Sequence, residues 1–136
     1  MQFKQSKDIS SDTVHLRGVT FKPDGSRMYV TTDEGSPTII QYELSPAFDI
    51  STATIISEDE LEGHGGDFDK PHAIEFKPDG KVMYVIHSNS GSVGVEQFNL
   101  TTAWDTQTLS YDASLSISDD VQIRALTFKS DGTRVY

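Results

Sequence analysis

A five-residue motif recurs three times along the chain and constrains its fold more than any other feature. It reads F-K-P-D-G at residues 21–25 and 76–80, and F-K-S-D-G at residues 128–132. The motif phenylalanines are 55 and 52 residues apart, and each motif is followed by a short run that contains a tyrosine. A period of this length indicates a repeat architecture, in which each repeat is one structural unit that packs against its neighbours.

The similarity between repeats extends well beyond this motif. The matching segments are 41–44 with 97–100, 47–49 with 103–105, and 11–17 with 118–124. The chain therefore consists of two full repeats and about half of another.

Each repeat is predicted to form four short β-strands, a to d. The runs are rich in Val, Ile, Thr, Tyr and Phe and are bounded by turn-forming residues. No segment has the apolar spacing of a helix, so we expect an all-β protein with almost no helix. The predicted strands are a at Leu16–Phe21, 73–76 and 123–128; b at 27–31, 82–86 and 133–136; c at 38–44 and 93–100; and d at 3–9, 53–57 and 113–117.

The turns between these strands have recognisable chemistry. In K-P-D-G, proline presets the backbone at the second position and glycine supplies a positive φ at the last, which predicts a tight a–b hairpin. The long c–d connections, residues 45–52 and 101–108, each carry an aromatic residue and an aspartate. We expect the aromatic side chain to fold back onto its own repeat and the aspartate to cap the turn.

Four antiparallel strands at this period fit the blade of a β-propeller. The pattern F-x-P-D-G-x-x-x-Y-V resembles the propeller repeats of the YVTN and WD-like superfamily, and L-[ST]-x-A-[FW]-D-x-x-T resembles long-blade repeats of marine bacterial and phage-associated proteins. The resemblance implies about two and a half blades, an incomplete ring. The expected segments are an orphan outer strand at 1–10, one blade at 11–60, another at 61–118 and half a blade at 119–136.

Two and a half blades cannot close a ring that usually needs 4–8 blades. Exposed strand edges favour association. We therefore expect self-association through open blade edges, with the ring completed by other copies or by a longer parent chain.

Composition excludes several classes of partner and site. Lys and Arg number 11 against 21 Asp and Glu, a net charge of -10, which argues against nucleic acid and against anionic membranes as partners. The absence of cysteine excludes disulfides and thiolate metal sites. The first residues lack the apolar core of a signal peptide, and no run is long enough to span a membrane. The compartment stays open, and an extracellular or virion-associated setting is compatible.

The first candidate site is a ring of equivalent positions, four residues before each motif phenylalanine. Arg17, His72 and Arg124 occupy these positions at the start of the innermost strand. Convergence at the mouth of the propeller tunnel would suit an anion or a carboxylate, because Arg donates bidentate hydrogen bonds and His titrates near neutral pH. The alternative is a structural role, with each side chain paired with blade carbonyls or with Asp12 or Asp119.

The second candidate is the loop before the middle motif, together with a histidine predicted to open the following b–c loop. Imidazoles and carboxylates in this set could bind a divalent metal such as Zn²⁺ or Ca²⁺, although their spacing matches no known metal motif. The alternative is a glycine-rich polar loop without a ligand, and no other cofactor is expected. The candidate ligands are His64, Asp67, Asp69, His72 and His87.

Two functions follow from these patterns. The first is a non-catalytic propeller module for binding or structural assembly, since the chain has no G-x-S-x-G, P-loop or dinucleotide motif. The second is a propeller enzyme, a lactonase-like or metal-dependent hydrolase with its site at the tunnel mouth. The protein or small-molecule ligand stays open.

Overall fold

A computed structural model describes residues 5–136 except 14, 65–69, 90, 91, 118–122, 124, 130 and 135. Within this part, eight strands form two antiparallel sheets of four, each in simple sequence order. The strands are β1 Leu16–Phe21, β2 Arg27–Thr32, β3 Thr38–Glu43 and β4 Thr54–Glu60 in blade 1, and β5 Lys70–Phe76, β6 Val82–Asn89, β7 Ser92–Leu100 and β8 Leu109–Ile117 in blade 2. The predicted all-β class with four-stranded antiparallel blades is confirmed.

Helical structure in the described residues is limited to three short 3-10 turns, at Ile50–Thr52, Leu61–His64 and Thr106–Thr108. No helix in this part of the chain has the length and apolar character needed to cross a membrane.

The outer strands differ most from the prediction. Strand β4 begins and ends later than the expected 53–57, and β8 begins earlier than the expected 113–117. The orphan strand expected at 3–9 is wrong over residues 5–9, which are irregular. Instead of pairing at a sheet edge, Ile9 packs against the buried face of blade 1, because that face needs apolar cover more than an edge needs a partner.

The third copy of the motif folds as a hairpin. Thr127 and Tyr136 exchange two backbone hydrogen bonds of 2.9 and 3.1 Å, and the amide of Lys129 donates to the carbonyl of Arg134. Gly132 closes the turn with a bond to Lys129 of 2.7 Å, just as Gly80 bonds Lys77 at 2.8 Å in the second copy. The two segments therefore turn back on each other as predicted, but the described residues of 123–128 and 133–136 form a single bridge at Phe128 and not the two strands expected there.

The glycine of each hairpin turn has a positive φ, 71° at Gly25 and 69° at Gly80 and Gly132. In blades 1 and 2 an aromatic ring from the c–d connection lies directly on that glycine, Phe48 on Gly25 and Trp104 on Gly80. The amides of Phe48 and Trp104 donate to the carbonyls of the same glycines at 2.8 and 2.9 Å. The predicted return of the aromatic residue onto its own blade is confirmed.

The aspartates that follow these aromatic residues cap the 3-10 turns, as predicted. Asp49 accepts a hydrogen bond from the amide of Ser51, and Asp105 accepts one from the amide of Gln107. Each cap satisfies a backbone donor that would otherwise lack a partner at the start of the turn.

The principal core lies between the two blades. Tyr29 and Ile39 on one side meet Met83, Val85 and Phe98 on the other in one buried cluster. The ring of Tyr29 lies 4.6 Å from that of Phe76, between centroids. The pair recurs at the next repeat boundary, because Tyr84 and Phe128 are 4.9 Å apart.

Hydrogen bonds join the blades beside this core. The hydroxyl of Tyr29 donates to the carbonyl of Trp104 at 2.8 Å, and the guanidinium of Arg27 donates to the same oxygen at 2.6 Å. The Oε1 of Gln41 accepts from the amide and the hydroxyl of Thr106, at 3.2 and 3.3 Å. Burial raises the pKa of Tyr29 to about 12, so its hydroxyl keeps the proton that it donates. We call these contacts the interblade clamp.

The contact between the turn glycine and the aromatic ring predicts how a substitution at that glycine changes stability. Gly80→Ala should lower the free energy of unfolding by about 3 kcal/mol, because a Cβ needs a disfavoured left-handed backbone and displaces the ring. That Cβ would lie 2.2 Å from Trp104. Gly35→Ala is the matched control: its φ is 81°, but no atom of the described residues would lie within 4 Å of the new Cβ, and the change should cost about 1 kcal/mol. Urea titration followed by circular dichroism measures both, and equal losses would contradict the role of the ring.

Candidate functional site

Arg17 lies near the start of β1, at the end of the sheet where the loop between β2 and β3 begins. Its Nη2 and Nε donate to Oδ2 of Asp33 at 2.6 and 3.0 Å. Asp33 directly follows β2, and its side chain is 8% exposed. The guanidinium lowers the pKa of this carboxyl, which is therefore charged at neutral pH. Asp12, the partner considered from the sequence, instead accepts a bond from Tyr42 at 2.9 Å.

His72 occupies the equivalent place in blade 2. Its Nε2 lies 2.8 Å from the hydroxyl of Ser88, and this pair has the same separation along the chain as Arg17 and Asp33. The strands that carry the two side chains are neighbours, because a Cβ on Gly18 would lie 3.1 Å from the carbonyl oxygen of His72. Two of the three predicted residues thus lie at the same end of adjacent inner strands. Arg124 lies outside the described residues.

Arg17 keeps part of its hydrogen-bonding capacity. A guanidinium has five N–H donors, and the contacts with Asp33 use two of its nitrogens. The side chain is 37% exposed, so solvent reaches the remaining donors. An anion could bind here only beside the carboxylate of Asp33, which would oppose it.

The structure separates two of the predicted metal ligands. His72 bonds Ser88, which is the neighbour of His87 on β6. Since successive side chains of a strand point to opposite faces, His72 and His87 lie on opposite faces of the sheet. His64 ends a 3-10 turn and is half-buried, whereas Asp67 and Asp69 lie outside the described residues.

Within the described residues, no three His, Asp or Glu side chains converge as a metal site would require. A metal site that includes Asp67 or Asp69 therefore stays a prediction.

His87 belongs to a strand and not to the loop expected from the sequence. Its Nε2 lies 3.1 Å from Oε1 of Glu96, and both side chains are 8% exposed. Gly94 is its partner across the sheet, and a Cβ on Gly94 would lie 2.4 Å from Nε2 of His87. The missing side chain at Gly94 makes room for the imidazole, which explains how two polar groups fit into the buried face of blade 2.

Sequence reasoning missed Glu75, a half-buried carboxyl on the innermost strand of blade 2. The hydroxyl of Thr20 donates to its Oε2 at 3.1 Å, across the boundary between blades. Burial raises the pKa of Glu75. A cavity of about 140 Å³ lies beside it, with Trp104, Phe128 and Lys129 in its lining. The available signal was a lone carboxylate at the position before a motif phenylalanine, where the other repeats have threonine.

A larger groove separates blade 2 from the third hairpin. Its volume is about 490 Å³ and its lining is mostly apolar. We call it the open groove. Blade 2 contributes Tyr84, Ile86, Val95, Gln97 and Leu115, and the hairpin contributes Leu126, Phe128, Gly132, Thr133 and Tyr136.

Two solved structures resemble the chain, both described as candidate 6-phosphogluconolactonases. One is from Bacteroides uniformis ATCC 8492, with a TM-score of 0.60 and 22% identity over 98% of this chain and 37% of its own length. The other is from Bacteroides fragilis NCTC 9343, with a TM-score of 0.55 and 20% identity over 88% of this chain and 30% of its own. The chain thus spans about a third of these proteins, and at this identity the likeness shows a β-propeller-type fold alone.

No protein-family model matches the chain, and no curated protein matches its sequence. Membership of the YVTN and WD-like superfamily therefore stays a prediction.

The pKa of Glu75 yields a pH-dependent prediction. Because the folded state raises this pKa, ionisation of Glu75 costs stability at pH above the folded pKa, and that cost disappears below the unfolded value of about 4.3. Glu75→Gln keeps an acceptor for Thr20 and should raise the free energy of unfolding near pH 7 by on the order of 1 kcal/mol. The gain should shrink towards about pH 4.

Urea titrations at a series of pH values measure this gain. The control is Glu62→Gln at an exposed position, which should leave the free energy of unfolding near pH 7 unchanged. A loss of stability in Glu75→Gln at neutral pH would show that the charged form is favoured in the fold.

Proposed function

We propose that the chain is a non-catalytic β-propeller segment that acts in binding or structural assembly, its ring being completed by other copies or by other polypeptide. The observation that supports this most is the open groove. Blade 1 buries Tyr29, Ile39 and Gln41 against blade 2, to 0%, 0% and 3% exposure. The equivalent residues of blade 2 line a groove that nothing in the described chain fills.

The hydrogen bonds of Arg17 and His72 also favour a non-catalytic role. Arg17 is engaged by Asp33, and His72 by Ser88. The chain carries a net charge of -10, which repels anionic substrates. These features suit a surface held by internal hydrogen bonds better than a site preorganised around a reacting group.

A second candidate function is a lactonase-like hydrolase, for which the two similar structures are the specific support. Hydrolysis of a phosphorylated sugar lactone needs a cation for the phosphate and a base for the attacking water. Arg17 and His72 are the candidate phosphate contacts. Glu75 is the candidate base, because burial raises its pKa towards neutrality.

Light scattering and an activity assay test the proposal together. We expect a molar mass above the 15.0 kDa of one chain that rises with protein concentration. Leu115→Asp should reduce this association, because Leu115 is 63% exposed in the open groove. Ile56→Asp, at a position 42% exposed on blade 1, is the matched control and should associate like the natural chain.

The same preparations should release no protons from 6-phosphogluconolactone beyond its spontaneous hydrolysis. A chain that stays at 15.0 kDa at every concentration would contradict completion of the ring by other copies. Saturable proton release that Glu75→Gln abolishes would favour the lactonase instead.

A further inference from the structure

We propose that the open groove binds a β-hairpin whose turn has the pattern Ala-aromatic-Asp-x-x-Thr. This inference rests on the proposed function, since it names the kind of polypeptide that completes the next blade. The chain contains two such turns, at residues 47–52 and 103–108, and both are already bound within it. Three groups of contacts in these turns show what the groove would recognise.

The first is the seat for the aromatic ring. Gly25 and Gly80 each carry a ring, and a Cβ on either glycine would lie 2.2 Å from it. Gly132 has the same turn and a φ of 69°, yet the nearest atom to its Cβ would be Cδ of Pro78 at 3.7 Å. No aromatic ring of the described residues lies on Gly132, and its backbone has the geometry that elsewhere accepts a Phe or Trp.

The second is a set of polar groups placed for the same turn. In the interblade clamp, Tyr29 donates to the carbonyl of Trp104 and Gln41 accepts from the amide of Thr106. The equivalents of Tyr29 and Gln41 in blade 2 are Tyr84 and Gln97, and both face the open groove. Both residues are half-buried. The side-chain nitrogen of Gln97 donates to Asp112, and its Oε1 is the atom that corresponds to the acceptor of Gln41.

The third is the apolar surface that the strands of the hairpin would cover. Leu115 is 63% exposed and Tyr136 is 69% exposed, one on each side of the groove. In blade 2, strand β6 pairs with strands on both of its edges. Arg134 and Tyr136 occupy the equivalent places in the third copy, and among the described residues their backbone bonds run to Lys129 and Thr127. We expect the added strand to pair on the opposite side of this segment.

A small apolar ligand would fill the volume of about 490 Å³ but would use neither the glycine seat nor the two polar groups. A folded second copy has its own turns occupied and could supply one only by releasing it. The contacts therefore favour an extended segment with a free turn.

The direct test measures how tightly the full chain binds a synthetic peptide with the sequence of residues 92–117. The fluorescence anisotropy of a label on the peptide reports the binding. A second peptide, with Trp104→Ser and Asp105→Ala, is the control and should not bind. Tyr84→Phe should weaken binding about fivefold, the effect of one hydrogen bond. Gly132→Ala and Leu115→Asp should weaken it at least about tenfold.

Gly35→Ala and Ile56→Asp, which change positions away from the groove, should leave the affinity unchanged. If the free peptide does not form a hairpin, a linked chain replaces it in the test. In this linked chain a copy of residues 85–117 follows Tyr136. Linkage raises the local concentration to the millimolar range, about 1 mM or more. The linked chain should unfold at a higher temperature than the natural one, and Tyr84→Phe should lower that temperature only in the linked chain.

Binding of both peptides alike, or a linked chain no more stable than the natural one, would overturn the inference. Neither result would touch the proposed function, because a folded second copy could still cover the exposed apolar residues of the open groove without inserting a turn, and Leu115→Asp would still reduce that association. Conversely, lactonase activity would overturn the proposed non-catalytic function. Specific binding of the peptide would still support the inference that the open groove binds a hairpin.

Discussion

The contact between Tyr29 and Phe76 is the interaction on which the rest of the structure depends. A four-stranded sheet buries little apolar surface alone, so each blade needs a neighbour against its face. The two rings meet at 4.6 Å, in the cluster that also contains Met83, Val85 and Phe98. The hydrogen bonds of the interblade clamp then fix how the blades are placed, because they join side chains of one blade to the turn of the next.

Much of this could be predicted from sequence because the repeat supplies the same local instructions several times. Strand β1 was placed at its observed bounds, and the positive φ of Gly25 and Gly80 follows from turn chemistry alone. Residues 5–9 were misjudged because their position depends on which apolar face lacks cover, which is a tertiary property. The pairing of Arg17 with Asp33, in place of Asp12, likewise depends on how two strand ends meet.

The candidate site was harder to predict than the fold, and for a physical reason. His87 and Glu96 become partners only because Gly94 stands opposite the histidine in the sheet, and strand register is needed to see this. Glu75 owes its raised pKa to burial between blades, which a single repeat does not reveal. The equivalence of Arg17 and His72, in contrast, was legible from the repeat. The buried carboxyls and the buried imidazole therefore lie where the repeats differ, while the shared residues build the blades and the open groove.

The claim that adjacent repeats are held together by this recurring aromatic pair can be measured with a double-mutant cycle. Tyr29→Leu, Phe76→Leu and the double variant are compared with the natural chain by urea titration. A paired contact predicts that the double variant loses about 1 kcal/mol less than the sum of the single losses. Additive losses would contradict the account, because they would mean that the two rings contribute independently and do not join the blades.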